Sequence, residues 1–217
     1  MEGQEHRIVA IDGPAASGKS SVARELARRL GFVYVNSGAM YRAITWSVLD
    51  HQINPADRDR IVRLIGQLSF GRRLMGGEFH LLIDDVDLAE HLHEDRVNAE
   101  VSRVSTIPEV RKIAVQQMRE SASSHDLVVE GRDIGSVVFP DTPYKFYIDA
   151  SPEVRAQRRA AQGHRDEIAR RDQADTSRAA SPLIVPKDAE IIDTSKLTVD
   201  QVVEEILKRL HARNLTF

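Results

Sequence analysis

The stretch Gly13-Pro14-Ala15-Ala16-Ser17-Gly18-Lys19-Ser20 constrains this chain more than any other, because it fits the phosphate-cradling pattern G-x-x-x-x-G-K-[ST]. Before it runs Ile8-Val9-Ala10-Ile11, an unbroken apolar run of the kind expected of a parallel strand buried on both faces. After it, Val22, Leu26 and Leu30 recur at helical spacing, and Gly31 is suited to the stop. In that order the loop amides and the positive end of the helix converge on one point, a site for a polyanionic phosphate chain. Gly13 to Ser20, with Ser21 beside them, are the expected nucleotide-phosphate residues.

At 217 residues the chain can bury a full core as one domain with small insertions. Its formal charge of -3 argues against binding a nucleic acid polymer, which needs a basic face. The absence of cysteine excludes a disulfide framework and a thiolate metal site. The stretch Met1 to Arg7 is polar and no apolar run approaches 18 residues, so neither a signal peptide nor a membrane span is expected. The expectation is a soluble protein of the cytoplasm.

Along the chain, Phe32-Val33-Tyr34-Val35 reads as a second strand, and Asn36-Ser37-Gly38 offers caps for a helix from Ala39 to about Leu49. Arg42 then falls in the first turn, where a cation opposes the helix dipole and an anionic ligand would remove the cost. A helix through Ile61 and Leu64 follows. Leu68 to Arg73 and Glu78 to Ile83, joined at Met75-Gly76-Gly77, read as a hairpin, with Asp84 to Asp87 turning towards a further short strand. Helices are expected from Leu88 to Ser105, interrupted near Asp95, and from Pro108 to about Ser121. Leu127-Val128-Val129 is a buried strand that delivers Glu130-Gly131-Arg132-Asp133 at its C-terminal end, the edge where ligands sit in open α/β sheets. Lys145 to Ile148 and Glu190 to Asp193 complete five strands, with helices from Pro152, from about Asp166 to Arg178, and after the cap Thr198. Five strands alternating with helices make a three-layer α/β fold around a mostly parallel sheet, with the hairpin as an inserted antiparallel region. Between Arg155 and Arg178 lie seven arginines, more than the neighbouring acids can pair, which suits a lid over phosphates.

A phosphate loop alone serves switches, motors and kinases. No Asn-Lys-x-Asp base reader follows a later strand, which sets aside a guanine switch, and the chain is small for a motor. From here the sequence resembles the bacterial cytidylate kinase family within the nucleoside monophosphate kinases. The resemblance is carried by Ile11-Asp12-Gly13-Pro14 through Lys19-Ser20, by Ser37-Gly38-Ala39-Met40-Tyr41-Arg42 and by Gly131-Arg132-Asp133-Ile134-Gly135-Ser136-Val137-Val138-Phe139-Pro140. It continues in Asp149-Ala150-Ser151, in Arg171-Asp172 with Asp175 and Arg178, and in Ile192-Asp193-Thr194-Ser195. The resemblance implies a single P-loop kinase domain over 1–217, with a five-stranded sheet, a monophosphate-binding insertion at about 68–105 and a helical lid at about 155–178. It implies that the loop and Lys19 hold the ATP phosphates and that Ser20 lies on Mg²⁺. It places Ser37, Arg42, Arg132 and Arg178 around the acceptor phosphate, and Arg171 and Asp175 at the ribose. Ser102, Arg111 and Asp133 fall at the cytosine, and Arg159 is a lid arginine reaching ATP. Lys19, Arg132, Arg159 and Arg171 are thereby the expected catalytic residues, CMP and dCMP the acceptors, and a monomer the expected state. Position 36 is Asn where many relatives carry an acid, and the segment between Arg159 and Arg171 is shorter than in some.

The chemistry agrees with that assignment. Cytosine presents an amino donor beside acceptors, so its reader needs a carboxylate facing the amine and donors facing the rest, which Asp133, Arg111 and Ser102 supply. The attacking oxygen belongs to a phosphate whose second pKa is about 6, so no catalytic base is required. Catalysis reduces to alignment and charge neutralisation, and Asp133 is expected to set specificity. Two other readings remain open at this point: a kinase of another small acceptor, such as UMP/CMP or shikimate, and a non-catalytic ATP-gated binding protein.

Overall fold

The computed structural model describes residues 6–161 and 183–215. The chain divides into two compact units, Met1–Tyr34 with Ala122–Phe217, and Val35–Ser121.

In the first unit, the apolar runs become parallel strands because both their faces are covered. β1 (Ile8–Asp12) is buried throughout and lies between β6 (Leu127–Gly131) and β7 (Tyr144–Asp149), parallel to both. Asp12 is in register with Gly131 on one side and Tyr147 on the other. β8 (Glu190–Asp193) extends the sheet beyond β7, also parallel. β2 (Val33–Asn36) flanks β6, with Val33 N–H donating to the Asp126 carbonyl at 2.9 Å, giving the order β2-β6-β1-β7-β8. α1 (Lys19–Leu30) and α7 (Val199–Ala212) supply Val22, Leu26, Leu30, Val202, Ile206 and Leu210 to the same core as Val9, Ile11, Phe146 and Ile148. Each such side chain, fully buried, contributes about 1.5–3 kcal/mol by leaving water. Gly31 closes α1 in the left-handed conformation (φ 67), and Thr198 with Gln201 forms the capping box that opens α7. α6 (Pro152–Ala161) opens on proline, whose missing N–H costs nothing in a first turn.

The second unit begins with α2 (Ser37–Asp50). This helix starts two residues before the expected Ala39, because Asn36 Oδ1 accepts the Ala39 N–H at 3.0 Å and makes Asn36 the cap. Arg42 consequently sits in the second turn and not the first. α3 (Arg58–Ile65) is capped by Asp57. β3 (Phe70–Met75) and β4 (Glu78–Ile83) form the expected hairpin around Gly76 (φ 57) and Gly77 (φ 85), the pair of positive φ angles such a two-residue turn requires. Asp84 and Asp85 repeat that geometry before the short β5 (Val86–Asp87). The helix expected from Leu88 is instead one tight turn over Ala89–His91, and α4 (Asp95–Val104) begins at the expected interruption. α5 (Pro108–Ser121) follows as expected. Trp46 of α2 stacks on His91, with ring centroids 4.7 Å apart, and its indole N–H donates to Glu94 at 3.2 Å. Glu94 also accepts from Arg96 Nε at 2.6 Å, which holds its carboxyl below the usual range.

Candidate active site

Four parallel strands of the first unit end on the same edge, and each delivers a polar segment there: Gly13–Ser20 after β1, Arg132 and Asp133 after β6, Ala150 and Ser151 after β7, and Thr194 after β8. The loop after β1 is built by close approach. A Cβ on Gly13 would lie 2.1 Å from the Ile148 carbonyl oxygen, so only glycine lets the chain pass. Ala16 (φ 59) and Gly18 (φ 91) take left-handed conformations that turn the backbone into α1. Lys19 is buried and folds back across the loop, its ammonium donating to the Pro14 carbonyl at 2.9 Å. No side chain caps α1 and no acid sits in its first turn, so the amides of Gly18 to Ser20 open into the loop.

Residues with no bracing role expected from the sequence support this loop. Ser20 Oγ donates to Glu130 Oε1 at 2.7 Å, and the buried Tyr34 hydroxyl donates to the same oxygen at 3.1 Å. Arg155 of α6, almost wholly buried, donates to the carbonyls of Ala150 (3.1 Å) and Ala15 (3.3 Å). Arg158, one helical turn further, donates to the Ser17 carbonyl (3.1 Å) and to Thr194 at both its hydroxyl (3.0 Å) and carbonyl (2.8 Å). Spacing held the clue: Arg155 and Arg158 stand three apart on one helix face, and Glu130 ends an apolar strand with a charge. A cleft of about 460 Å³ opens beside the loop, between Gly18 and Val22 on one wall and Arg158, Thr194, Leu197 and Val199 on another. Arg159 follows Arg158 on α6, partly exposed, and does not line this cleft.

After β6, the chain enters a wide turn over Ile134–Val138, closed by the Val138 N–H on the Asp133 carbonyl (3.1 Å) and the Phe139 N–H on the Ile134 carbonyl (2.7 Å). Asp12 lies under this turn, 1% exposed, and accepts from Ile134 N–H and Gly135 N–H at 2.7 Å each. Burial pushes the Asp12 carboxyl up to about 6, against the two amides, which pull it down. Asp133 is buried and Arg132 partly so.

The second unit holds its own group of expected residues. Ser37 is buried at the start of α2, and Arg42 runs back along the helix until its Nη1 is 2.8 Å from where a Cβ on Gly38 would stand. Arg111 of α5 is buried, with its guanidinium 5.6 Å from the centre of the Tyr41 ring and reaching the Ser105 carbonyl at 3.5 Å. The Ser105 hydroxyl in turn donates to the Ser102 carbonyl at 3.1 Å, which brings Ser102 and Arg111 together around one residue. Arg171, Asp175 and Arg178, with most of the lid expected at about 155–178, lie outside the described residues.

A parallel sheet whose first strand runs through a glycine loop and lysine into a helix, with arginines braced on that loop, defines a P-loop kinase. Solved structures share the fold: a gluconokinase from Sinorhizobium meliloti, with a TM-score of 0.52 at 16% identity, covers 97% of this chain and 95% of its own. A shikimate kinase from Acinetobacter baumannii aligns with a TM-score of 0.50 at 13% identity over 97% and 96% of the two chains. The family model of cytidylate kinase matches residues 9–212, and the chain belongs to that family. A cytidylate kinase of Caldanaerobacter subterraneus is 41% identical over 93% of both chains, and one of Corynebacterium efficiens 43% identical over 94% of both.

Proposed function

We propose that this enzyme transfers the γ-phosphoryl group of ATP to CMP or dCMP, giving CDP or dCDP and ADP. The observation that carries the reading is the membership of the cytidylate kinase family over residues 9–212, joined to an intact phosphate loop with buried Lys19. No alternative acceptor finds comparable support, since the likeness to shikimate kinase extends to the fold alone.

The donor side is built on the first unit. Gly13 to Ser21 cradle the triphosphate, and Lys19 exchanges the Pro14 carbonyl for a phosphate oxygen. The cleft beside Gly18 and Thr194 takes the nucleoside of ATP, with Arg158 on its wall. Ser20 and Glu130 suit Mg²⁺ bound through few protein ligands, because a hydroxyl already paired with a carboxylate leaves the remaining positions to water and phosphate. Held there, Mg²⁺ would supply charge neutralisation to the ATP phosphates as the γ-phosphoryl group leaves. On the acceptor side, Ser37, Arg42, Arg132 and Arg178 hold the CMP phosphate and Arg171 and Asp175 the ribose. Ser102, Arg111 and Asp133 read the base: Asp133 accepts from the cytosine amine, and Arg111 donates to its acceptors. The arginines, Arg159 among them, neutralise charge on the transferring group, and no residue needs to remove a proton.

An acceptor panel of CMP, dCMP, UMP, AMP and shikimate with ATP and Mg²⁺, following ADP, tests this directly. CMP and dCMP are expected to turn over, with UMP disfavoured because its carbonyl would face Asp133 and leave both unpaired. Equal turnover of CMP and UMP overturns the base assignment, and ADP release independent of any acceptor overturns the kinase reading.

A further inference from the structure

The turn that carries Arg132 and Asp133 has an unusual support. An aspartate at the first position of a helical turn ordinarily caps it with its own carboxylate, accepting the amides that follow. Asp133 occupies that position with φ −146 and makes no cap bond to the turn. The amides are taken instead by Asp12, a residue 122 positions away in sequence from Ile134: Oδ1 accepts Ile134 N–H and Oδ2 accepts Gly135 N–H, both at 2.7 Å. Pairing of Asp12 with Gly131 across β1 and β6 fixes its carboxylate under the turn, and at 1% exposure it is shielded from bulk solvent. Gly135 is fitted to this contact: a Cβ there would stand 3.3 Å from Asp12 Oδ2 and 3.2 Å from the Lys145 side chain. Lys145 is itself buried and tethered to the Pro140 carbonyl and to Asp188, both at 2.6 Å, so it has little room to yield.

We propose that Asp12 is a positioning residue for acceptor recognition: it caps the 134–138 turn in place of Asp133, so that the Asp133 carboxylate is directed to the cytosine amine and Arg132 to the acceptor phosphate. The proposal rests on the assignment of Asp133 as the base reader. The effect of Asp12 runs through two backbone amides. Because it also precedes Gly13, it ties the acceptor-reading turn to the strand that carries the donor loop.

Asp12→Asn tests it. Asparagine offers one acceptor oxygen and turns an NH₂ towards the other amide, so the turn loses one bond and gains a donor facing a donor. Steady-state kinetics on wild type and variant, with CMP, UMP and ATP each varied, should show the CMP KM raised at least tenfold. The ratio of CMP to UMP kcat/KM should fall at least tenfold, while the ATP KM stays within twofold. An unchanged CMP KM and selectivity overturns the proposal, and so does a parallel loss in the ATP and CMP constants, which is what a merely structural residue beside the loop would produce. Should Asp12→Asn fail to fold, Gly135→Ala decides alone: the same selective rise in CMP KM is expected, and retained CMP KM and selectivity overturn the idea. Wild-type turnover in the same assay keeps the two readings apart, since failure of wild type to phosphorylate CMP strikes the base assignment and not Asp12.

Discussion

A carboxylate whose pKa is pushed up by burial costs the fold something wherever it is ionised. Asp12 titrates near 3.8 when exposed in the unfolded chain and near 6 in the folded one. Between those values the folded chain binds the proton that the unfolded chain has released, so stability falls as pH rises through about 4 to 6 and is level above. The span corresponds to about 3 kcal/mol. Asp12→Asn does not titrate, so its stability relative to wild type should improve across that window and stay constant above it. Urea unfolding at several pH values from 4.5 to 7.5 measures this, and a difference independent of pH contradicts it. Gly13 makes a second point about single residues: with the Ile148 carbonyl 2.1 Å from any added Cβ, Gly13→Ala must displace the loop or the strand. ATP binding should then be lost, read by isothermal titration, in a protein whose circular dichroism stays near native.

Among the elements, α2 shows how a helix start positions a guanidinium proposed to hold the acceptor phosphate. Its cap on Asn36 places Gly38 in the first turn, under the guanidinium of Arg42. Gly38→Ala should favour the helix, yet its Cβ would meet Arg42 Nη1 at 2.8 Å and push the guanidinium aside. The expected result is a CMP KM raised severalfold with no loss of thermal stability. On the other unit, α1 and α7 are joined by Arg29, which bonds Glu25 at 2.8 Å and Asp200 at 2.8 Å and also pairs with Glu204. Arg29→Ala should lower the urea midpoint slightly at low salt and less at 1 M, as for exposed pairs screened by salt. The strands and most helices were legible because apolar runs and 3.6-residue stripes are local signals, and Thr198 capped its helix as read. The start of α2 was not, because Asn36, Ser37 and Gly38 are all acceptable caps and only the reach of Asn36 Oδ1 decides between them. Neither were the roles of Asp12 and Glu130, whose partners lie 122 and 110 residues away and exist only once β1 and β6 are paired.

At the scale of the whole molecule, the residues proposed for donor and acceptor divide unequally between the two units: the phosphate loop, its bracing arginines and Asp133 in one, Ser37, Arg42, Ser102 and Arg111 in the other. Ligand linkage follows that division. ATP at a hundredfold its Kd should stabilise the protein that binds it by about 2.7 kcal/mol. At this chain length that is about 5–10 °C in the melting temperature by differential scanning calorimetry, and Lys19→Ala should abolish the shift. The Trp46 stack supplies the means to watch the Val35–Ser121 unit separately. Trp46 is the chain's single tryptophan, so intrinsic indole emission is an optical signal from the Val35–Ser121 unit with no background from the other. A ligand that alters this unit announces itself in the emission spectrum of an unlabelled enzyme, and urea unfolding followed at that wavelength reports one half of the molecule by its own light.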